Sequence, residues 1–136
     1  MIVGFPGETE ENFLETLSLM DEVVFDSVNT AAYSPRPNTP AAHWTNQLSE
    51  EVKQDRLDRI NVLNRRHAGE RRLRMMDRTV EVLVEERNVK KPTQVMGRTT
   101  HGYIVYFDGD IDELRGQLVN VRIDVCKMYY LSGEQV

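Results

Sequence analysis

The 136-residue chain has little cysteine and, over its first third, almost no positive charge. Its single cysteine, Cys126, cannot form an intramolecular disulfide, and one thiolate is too few to hold an iron–sulfur cluster. His43, His67 and His101 lack the spacing of metal ligands, both among themselves and relative to Cys126, which argues against a zinc site. Low cysteine content without a disulfide framework is typical of an intracellular protein.

Long apolar runs are also absent. None approaches the ~18 residues that a membrane-spanning helix needs, so we expect no membrane partner. The glycine-containing turn after the first predicted strand lacks the Gly-Lys-Ser/Thr of a phosphate-binding P-loop. From the low cysteine content and the lack of a long apolar run, we expect a cytoplasmic protein, with an organelle as the alternative compartment.

Charge is unevenly distributed along the chain, whose net charge is −5. Residues 1–47 carry one basic side chain, Arg36, against seven acidic ones, residues 48–78 carry nine against six, and residues 79–136 carry seven against nine. Overall acidity argues against a uniformly basic nucleic-acid-binding protein. The basic middle segment could still form a local phosphate track, the alternative being a solvated helix face. The arginines considered for this track, at the C-terminal end of the segment, are Arg65, Arg66, Arg71, Arg72, Arg74 and Arg78.

The first half of the chain has the pattern of a parallel βαβ unit. A short apolar strand at residues 1–3 leads through a Gly/Pro turn into an amphipathic helix that begins at Glu10, with Thr9 as its N-cap. A second strand candidate occupies residues 25–33, and three prolines stiffen the loop at 34–40. Strand, helix and strand with short connections predict parallel pairing.

The second half changes from helical to strand periodicity. A long charged helix is predicted from Ser49 to about Arg74. Several short alternating strands with glycine-containing turns follow, which predicts a small antiparallel barrel of the OB type. The alternation places Cys126 opposite the apolar side chains of the last long strand, so we expect it to be exposed. The predicted strands lie near residues 80–84, 95–98, 103–107 and 119–125.

Three segments resemble a known family. They are IVGFPGETEENF at 2–13, YSPRPNTPAA at 33–42 and QVMGRTTHGYIVYF at 94–107. Together they closely resemble the C-terminal part of the radical S-adenosylmethionine methylthiotransferases, with the nearest resemblance to the MiaB-type tRNA enzymes. The resemblance implies an α/β fold in which residues 1–71 are the C-terminal part of a parallel radical SAM partial barrel. Residues 72–136 would then be a TRAM domain, a small OB-like RNA-binding barrel.

Members of this family are transferases that add a methylthio group to C2 of N6-isopentenyladenosine beside the tRNA anticodon. They use S-adenosylmethionine and two [4Fe–4S] clusters, one of them held by a Cys-x3-Cys-x2-Cys motif that this chain lacks. The resemblance therefore implies a fragment that is inactive alone. We expect its partners to be the missing N-terminal portion of the same enzyme and a tRNA anticodon stem-loop.

The resemblance also implies roles for individual residues. Cofactor-binding positions follow the fifth and sixth barrel strands, and they are Ile2, Val3, Gly4, Phe5, Ser34 and Arg36. Arg36 could instead pair with a nearby glutamate on the surface. RNA binding is expected of Arg71, Arg72, Arg74, Arg98 and Tyr103. No catalytic residue and no metal ligand is expected in the chain.

Aromatic side chains of the barrel could either stack on unpaired bases or fill the core. These candidates are Tyr103, Tyr106, Phe107, Tyr129 and Tyr130. Two other functions also remain open. One is a stand-alone RNA-binding protein whose helices brace the barrel, and the other is a methylthiotransferase that modifies a ribosomal protein. The segments at 34–37 and 96–99 favour the tRNA enzyme over the second alternative.

Overall fold

The computed structural model describes all 136 residues and divides into two compact units, Met1–Ala68 and Gly69–Val136. The strands in chain order are β1 (Ile2–Val3), β2 (Ala31–Ala32), β3 (Thr79–Arg87), β4 (Gln94–Thr99), β5 (Ile104–Asp108), β6 (Leu118–Cys126) and β7 (Leu131–Gln135). The helices are α1 (Glu10–Val23), α2 (Glu50–Leu73) and α3 (Ile111–Leu114), with one 3-10 turn at Pro40–His43. No helix combines the length and apolar character needed to span a membrane.

Helix α1 begins where the sequence predicts it. Thr9 accepts a hydrogen bond from the backbone N–H of Asn12 at 3.2 Å, and the Asn12 side chain accepts one from the Thr9 N–H at 3.1 Å. This reciprocal pair satisfies two of the N–H groups that a helix start leaves open. Glu10 and Glu11 add negative charge to the first turn, where the helix dipole favours it. The predicted N-cap is confirmed.

The first unit contains only two strands. β1 and β2 pair in parallel, with Ile2 opposite Ala31, which confirms the predicted parallel arrangement. The predicted strand at 25–33 is much shorter in the structure, because side chains of α2 take up its backbone groups. Asn64 accepts from the N–H of Val28 at 3.0 Å and donates to its carbonyl oxygen at 2.8 Å. The core of this unit is fully buried and consists of Val3, Phe13, Met20 and Ile60.

The second unit is a closed five-stranded barrel with the strand order β3-β4-β5-β7-β6. β5 and β7 pair in parallel, all other neighbours are antiparallel, and α3 lies in the connection between β5 and β6. The predicted OB-like barrel is confirmed, although one of its five pairings is parallel. Inward-facing side chains fill the barrel, and the most deeply buried are Val82, Val84, Val95, Val105, Phe107, Val121, Ile123 and Leu131.

Cys126 is half-buried, so the expectation that it is exposed is wrong. A β-bulge between Ile123 and Val125 shifts the register of β6 against β7 and breaks the strict alternation on which that expectation relied. The thiol packs against the barrel core and donates a hydrogen bond from Sγ to the carbonyl oxygen of Arg72 at 3.1 Å.

Candidate nucleic-acid interface

A cavity of about 530 Å³ opens on the outside of the barrel, which we call the aromatic cavity. It lies between the β3–β4 loop, the outward faces of β4 and β5, and the start of β7. Its charged lining residues are Glu86, Arg87 and Lys90, and the other side chains that determine its chemistry are Asn88, Gln94, Met96, Tyr106 and Tyr130. β4 and β5 are the second and third strands of this barrel, and OB folds bind oligonucleotides on that face and on its flanking loops.

Two tyrosines form the apolar wall of the aromatic cavity. The ring centroids of Tyr106 and Tyr130 are 5.3 Å apart and their planes meet at 81°, an edge-to-face arrangement. The parallel register of β5 and β7 sets Tyr106 beside Ser132, and Tyr130 immediately precedes β7. Met96 is the cross-strand partner of Tyr106 on the other side. This surface offers an aromatic face on which a base can stack.

The β3–β4 loop is held in place by its own polar groups. The backbone N–H of Asn88 donates to the carbonyl oxygen of Gln94 at 2.8 Å, and the Asn88 side chain accepts from the N–H of Lys90 at 3.0 Å. Lys90 is exposed and has no acidic partner, whereas Lys91 lies 3.5 Å from Asp108. The loop therefore presents one unpaired cation beside the tyrosines.

The residues predicted to bind RNA lie outside the aromatic cavity. Tyr103 is only 7% exposed and belongs to the barrel core, and the guanidinium of Arg72 lies 5.7 Å from the centroid of its ring. Arg98 is exposed on the outer face of β4, where it lies 3.4 Å from Glu85. Arg71 is half-buried in the last turn of α2, and Arg74 is exposed in the connection from α2 to β3.

The sequence periodicity of β5 indicates which of the barrel tyrosines faces outward and which lies in the core. In β5, Val105 and Phe107 point into the barrel while Tyr106 points out, since neighbouring side chains of a strand alternate between its two faces. Tyr103 and Phe107 are thus core residues, and Tyr106 is available to a ligand. Tyr130 had no comparable signal, because it lies in a loop whose position depends on the pairing of β7.

Four of the six residues predicted to bind a cofactor line one cavity in the first unit. Its volume is about 490 Å³, and Ile2, Phe5, Ser34 and Arg36 are part of its wall. We call it the strand-end cavity, because these residues belong to β1, to the turn after β1 and to the loop after β2. Arg36 has no acidic partner in the structure. The surface ion pair that was the alternative role for this residue is therefore not formed.

The other two predicted residues, Val3 and Gly4, are buried beneath the strand-end cavity rather than in its wall. Gly4 has a φ of +73°, and a β-carbon there would collide with the side chain of Lys53. Its N–H donates to the Glu8 carboxylate at 2.9 Å, which in turn accepts from Arg56 at 2.6 Å. These contacts fix the turn that carries Phe5.

Buried cations of α2 hold both loops around the strand-end cavity. The Lys53 ammonium donates to the carbonyl oxygen of Tyr33 at 3.3 Å and pairs with Glu50. The ring of Phe5 meets those of Tyr33 and Trp44 edge-on, with centroids 5.1 and 5.6 Å away. The cavity is therefore a preformed, mostly apolar cleft with Arg36 as its cation, and its volume lies in the range of small-molecule sites.

The barrel order places the second unit in the OB class, whose members bind oligonucleotides or oligosaccharides. The family model of the TRAM domain matches residues 74–136. The chain thus contains a TRAM domain, and this domain suggests RNA binding.

Proposed function

We propose that the chain is an RNA-binding protein that holds an unpaired base in the aromatic cavity. The observation that carries the proposal is the edge-to-face pair of Tyr106 and Tyr130 on the barrel face that OB folds in general use for oligonucleotides. Stacking on an aromatic side chain contributes about 1–3 kcal/mol per base. Lys90 lies at the rim of the same cavity and can contact a phosphate.

The charge of the chain predicts that its affinity for RNA is modest. The net charge of −5 weakens long-range attraction to RNA, so binding depends on local cations and on stacking. Neutralising each phosphate of a single strand lowers the slope of log K against log salt by about 0.7. Binding should therefore weaken as salt rises.

The experiment is a titration of a fluorescent anticodon stem-loop with the full chain, Tyr106→Ala and Tyr130→Ala. Each substitution should weaken binding about tenfold, because it removes one stacking surface. Tyr129→Ala is the matched control, since Tyr129 lies in the same loop but does not line the cavity. A duplex without a loop should be affected less, because its bases are already stacked. Equal effects of all three substitutions on both RNAs would contradict a base-specific cavity.

The finer proposal is that the chain is the C-terminal part of a MiaB-type tRNA methylthiotransferase. It is supported by the resemblance of the segments at 2–13, 33–42 and 94–107, and by the strand-end cavity that unites Ile2, Phe5, Ser34 and Arg36. Apolar side chains with one arginine and several hydroxyls suit the adenosine and carboxylate of S-adenosylmethionine. When bound, that cofactor would supply the radical chemistry.

The residues of this chain do not fit a [4Fe–4S] cluster. A cubane needs three or four thiolates, and the one cysteine, Cys126, donates its thiol hydrogen within the barrel unit. The finer proposal therefore requires an N-terminal portion of the enzyme that carries the cluster ligands. It places the protein in the cytoplasm or in an organelle that makes its own tRNA.

A stand-alone RNA-binding TRAM protein is an equally consistent second candidate, and a ribosomal-protein methylthiotransferase is a third. Cys-x3-Cys-x2-Cys upstream in the same reading frame would favour either enzyme over the stand-alone protein. Mass spectrometry of tRNA nucleosides from cells lacking the gene distinguishes the enzymes. Loss of the 2-methylthio group from N6-isopentenyladenosine supports the tRNA enzyme, and its retention contradicts that assignment.

A further inference from the structure

The turn between β4 and β5 carries a second cavity on the barrel unit, which we call the hairpin cavity. Its volume is about 230 Å³, and it shares no lining residue with the aromatic cavity. The start of β3 forms one side and the β4–β5 turn forms the other. The side chains that decide its chemistry are those of Arg78, Glu81, Thr100, His101 and Tyr103.

The hairpin cavity is built by a rigid turn. Thr99 accepts from the N–H of Gly102 at 2.9 Å, and its side chain accepts from the N–H of Tyr103 at 3.1 Å. Gly102 has a φ of +80°, which suits glycine and tightens the turn. The turn holds the His101 ring nearly parallel to the ring of Tyr103, with centroids 6.5 Å apart and planes at 27°. His101 is exposed, so one face of a stacked ring pair is presented to solvent.

The hairpin cavity has one lining cation, Arg78, and a second guanidinium, that of Arg72, lies near the ring of its lining residue Tyr103. The exposed side chain of Arg78 has no acidic partner, and neither has Arg72. The Nη1 atom of Arg72 is buried and lacks a hydrogen-bond partner. Four other cations of the barrel unit are paired with carboxylates, for example Arg98 with Glu85, whereas Lys90 and Arg115 are unpaired like Arg78. The unpaired guanidinium of Arg78, the hydroxyl of Thr100 and the exposed ring of His101 fit a nucleotide phosphate and its base.

One acidic residue, Glu81, also lines the hairpin cavity, and it opposes anion binding. It is exposed and has no basic partner. Its carboxylate should therefore lower the affinity of the site for phosphate without abolishing it. Glu81 is therefore a useful probe, because neutralising it should raise the affinity for phosphate, whereas neutralising Arg78 should lower it.

We infer that the hairpin cavity is a second RNA-contact site, which binds a backbone phosphate of the same strand that enters the aromatic cavity. Arg78 and Thr100 contact the phosphate, and His101 offers the stacking face. The two cavities lie at opposite ends of β4, since Met96 lines the first and Thr100 follows the last residue of the strand. Four residues at about 3.3 Å each span about 13 Å. That distance corresponds to about four stacked nucleotides at ~3.4 Å each.

The exposed side chain of Arg98, although paired with Glu85, lies on the outer face of β4 between the residues that line the two cavities, so an RNA strand that joins them would pass it. This inference rests on the proposed RNA binding and adds a minimum length to it. A single-stranded hexanucleotide should reach both cavities, whereas a dinucleotide should reach one.

The test measures binding of a fluorescent single-stranded hexanucleotide to the full chain, with a dinucleotide of the same composition measured by competition. Arg78→Gln should weaken hexanucleotide binding about fivefold and make the slope of log K against log salt less negative by about 0.7, the value for one phosphate of a single strand. Glu81→Gln should strengthen it. Neither substitution should change the affinity of the dinucleotide. Arg115→Gln is the matched control, because Arg115 is exposed, unpaired and outside both cavities.

Arg78 has no side-chain partner in the structure, so its replacement should leave the circular dichroism spectrum and the melting temperature unchanged. His101→Ala removes a different contact of the same cavity. It should weaken binding of the hexanucleotide but not of the dinucleotide. If Arg78→Gln and His101→Ala both behave like Arg115→Gln while Tyr106→Ala weakens binding, the hairpin site is overturned and RNA binding stands. If the chain binds no RNA, the proposed function itself is overturned.

Discussion

Gly97 in β4 lies so close to the carbonyl oxygen of Leu83 in β3 that a β-carbon at position 97 would collide with it. The same β-carbon would also lie 2.5 Å from Cγ1 of Val82. The close approach occurs next to the irregularity between Val84 and Glu86, where β3 bends against β4. Glycine thus allows the first two barrel strands to coil tightly enough for closure.

Gly97→Ala should destabilise the barrel, because the methyl group meets backbone that cannot move aside without shifting a strand. We expect a loss of about 1–3 kcal/mol in the free energy of unfolding, the usual cost of overpacking. Gly69→Ala is the control: Gly69 lies in α2, nothing is within 4 Å of its added β-carbon, and alanine favours a helix by about 0.5–1 kcal/mol. Urea unfolding of both variants should give opposite signs, and a neutral Gly97→Ala would contradict the close approach.

The barrel could be predicted from the sequence because its signal is local. Valines alternate with polar residues along β3 and β6, and one face of each strand is buried as that alternation predicts. The length of β2 could not be predicted in the same way. The apolar residues that precede β2 favour a longer strand. Instead, Asn64 of α2 binds the backbone of Val28, and Asn61 of α2 accepts a hydrogen bond from the hydroxyl of Thr30.

The candidate site was only partly predictable for a similar reason. Tyr106 can be recognised as outward-facing from its alternation with Phe107. Tyr130 cannot, because its place beside Tyr106 depends on the parallel pairing of β5 with β7, two strands that are not consecutive in the chain. Long-range pairing of this kind leaves no periodicity in the loop residues themselves.

A buried ion pair supports the turn after β1. The side chain of Arg56 is 5% exposed and that of Glu8 13%, and their N–O distance is 2.6 Å. Arg56→Met leaves the Glu8 carboxylate without its cation in a desolvated place, so we expect the first unit to lose about 3–5 kcal/mol. The measurement is urea unfolding followed by the fluorescence of Trp44, which lies in that unit.

The control for this pair is Arg66→Met. Arg66 lies on the same helix, 2.7 Å from Asp21, but both side chains are more than half exposed. Exposed pairs contribute about 0–1 kcal/mol because water and salt screen them. Adding Glu8→Gln to Arg56→Met should recover part of the loss, since no charge then remains buried. Equal costs for Arg56→Met and Arg66→Met would show that burial does not strengthen the first pair.

Cys126 should be a slow nucleophile. Burial raises the pKa of its thiol above the ordinary value, and the negative charge of Asp77 raises it further. At a given pH the folded protein therefore holds less thiolate than an unfolded chain, and the thiolate is the reactive form. Alkylation by iodoacetamide should be slower in the folded chain than in urea, and its rise with pH should come at higher pH.

The same shift has a consequence for stability. A raised pKa in the folded state contributes stability that is present below the pKa of the unfolded thiol and is lost as pH rises through the folded pKa. Wild type should therefore lose stability relative to Cys126→Ser as the solution becomes alkaline. A difference between the two that stays constant across this range would contradict the shift.

The two units should differ in resistance to proteolysis. Every strand of the barrel has a neighbour on both sides, whereas β1 and β2 form an isolated pair whose outer edges are unpaired. Local opening of the first unit should therefore require less free energy, and trypsin should remove it first. The arginines at 71, 72, 74 and 78 supply cleavage sites just before β3. Mass spectrometry should find a resistant fragment that begins at residue 72, 73, 75 or 79 and extends to the end of β7, whereas loss of both units at one rate would show that they open together.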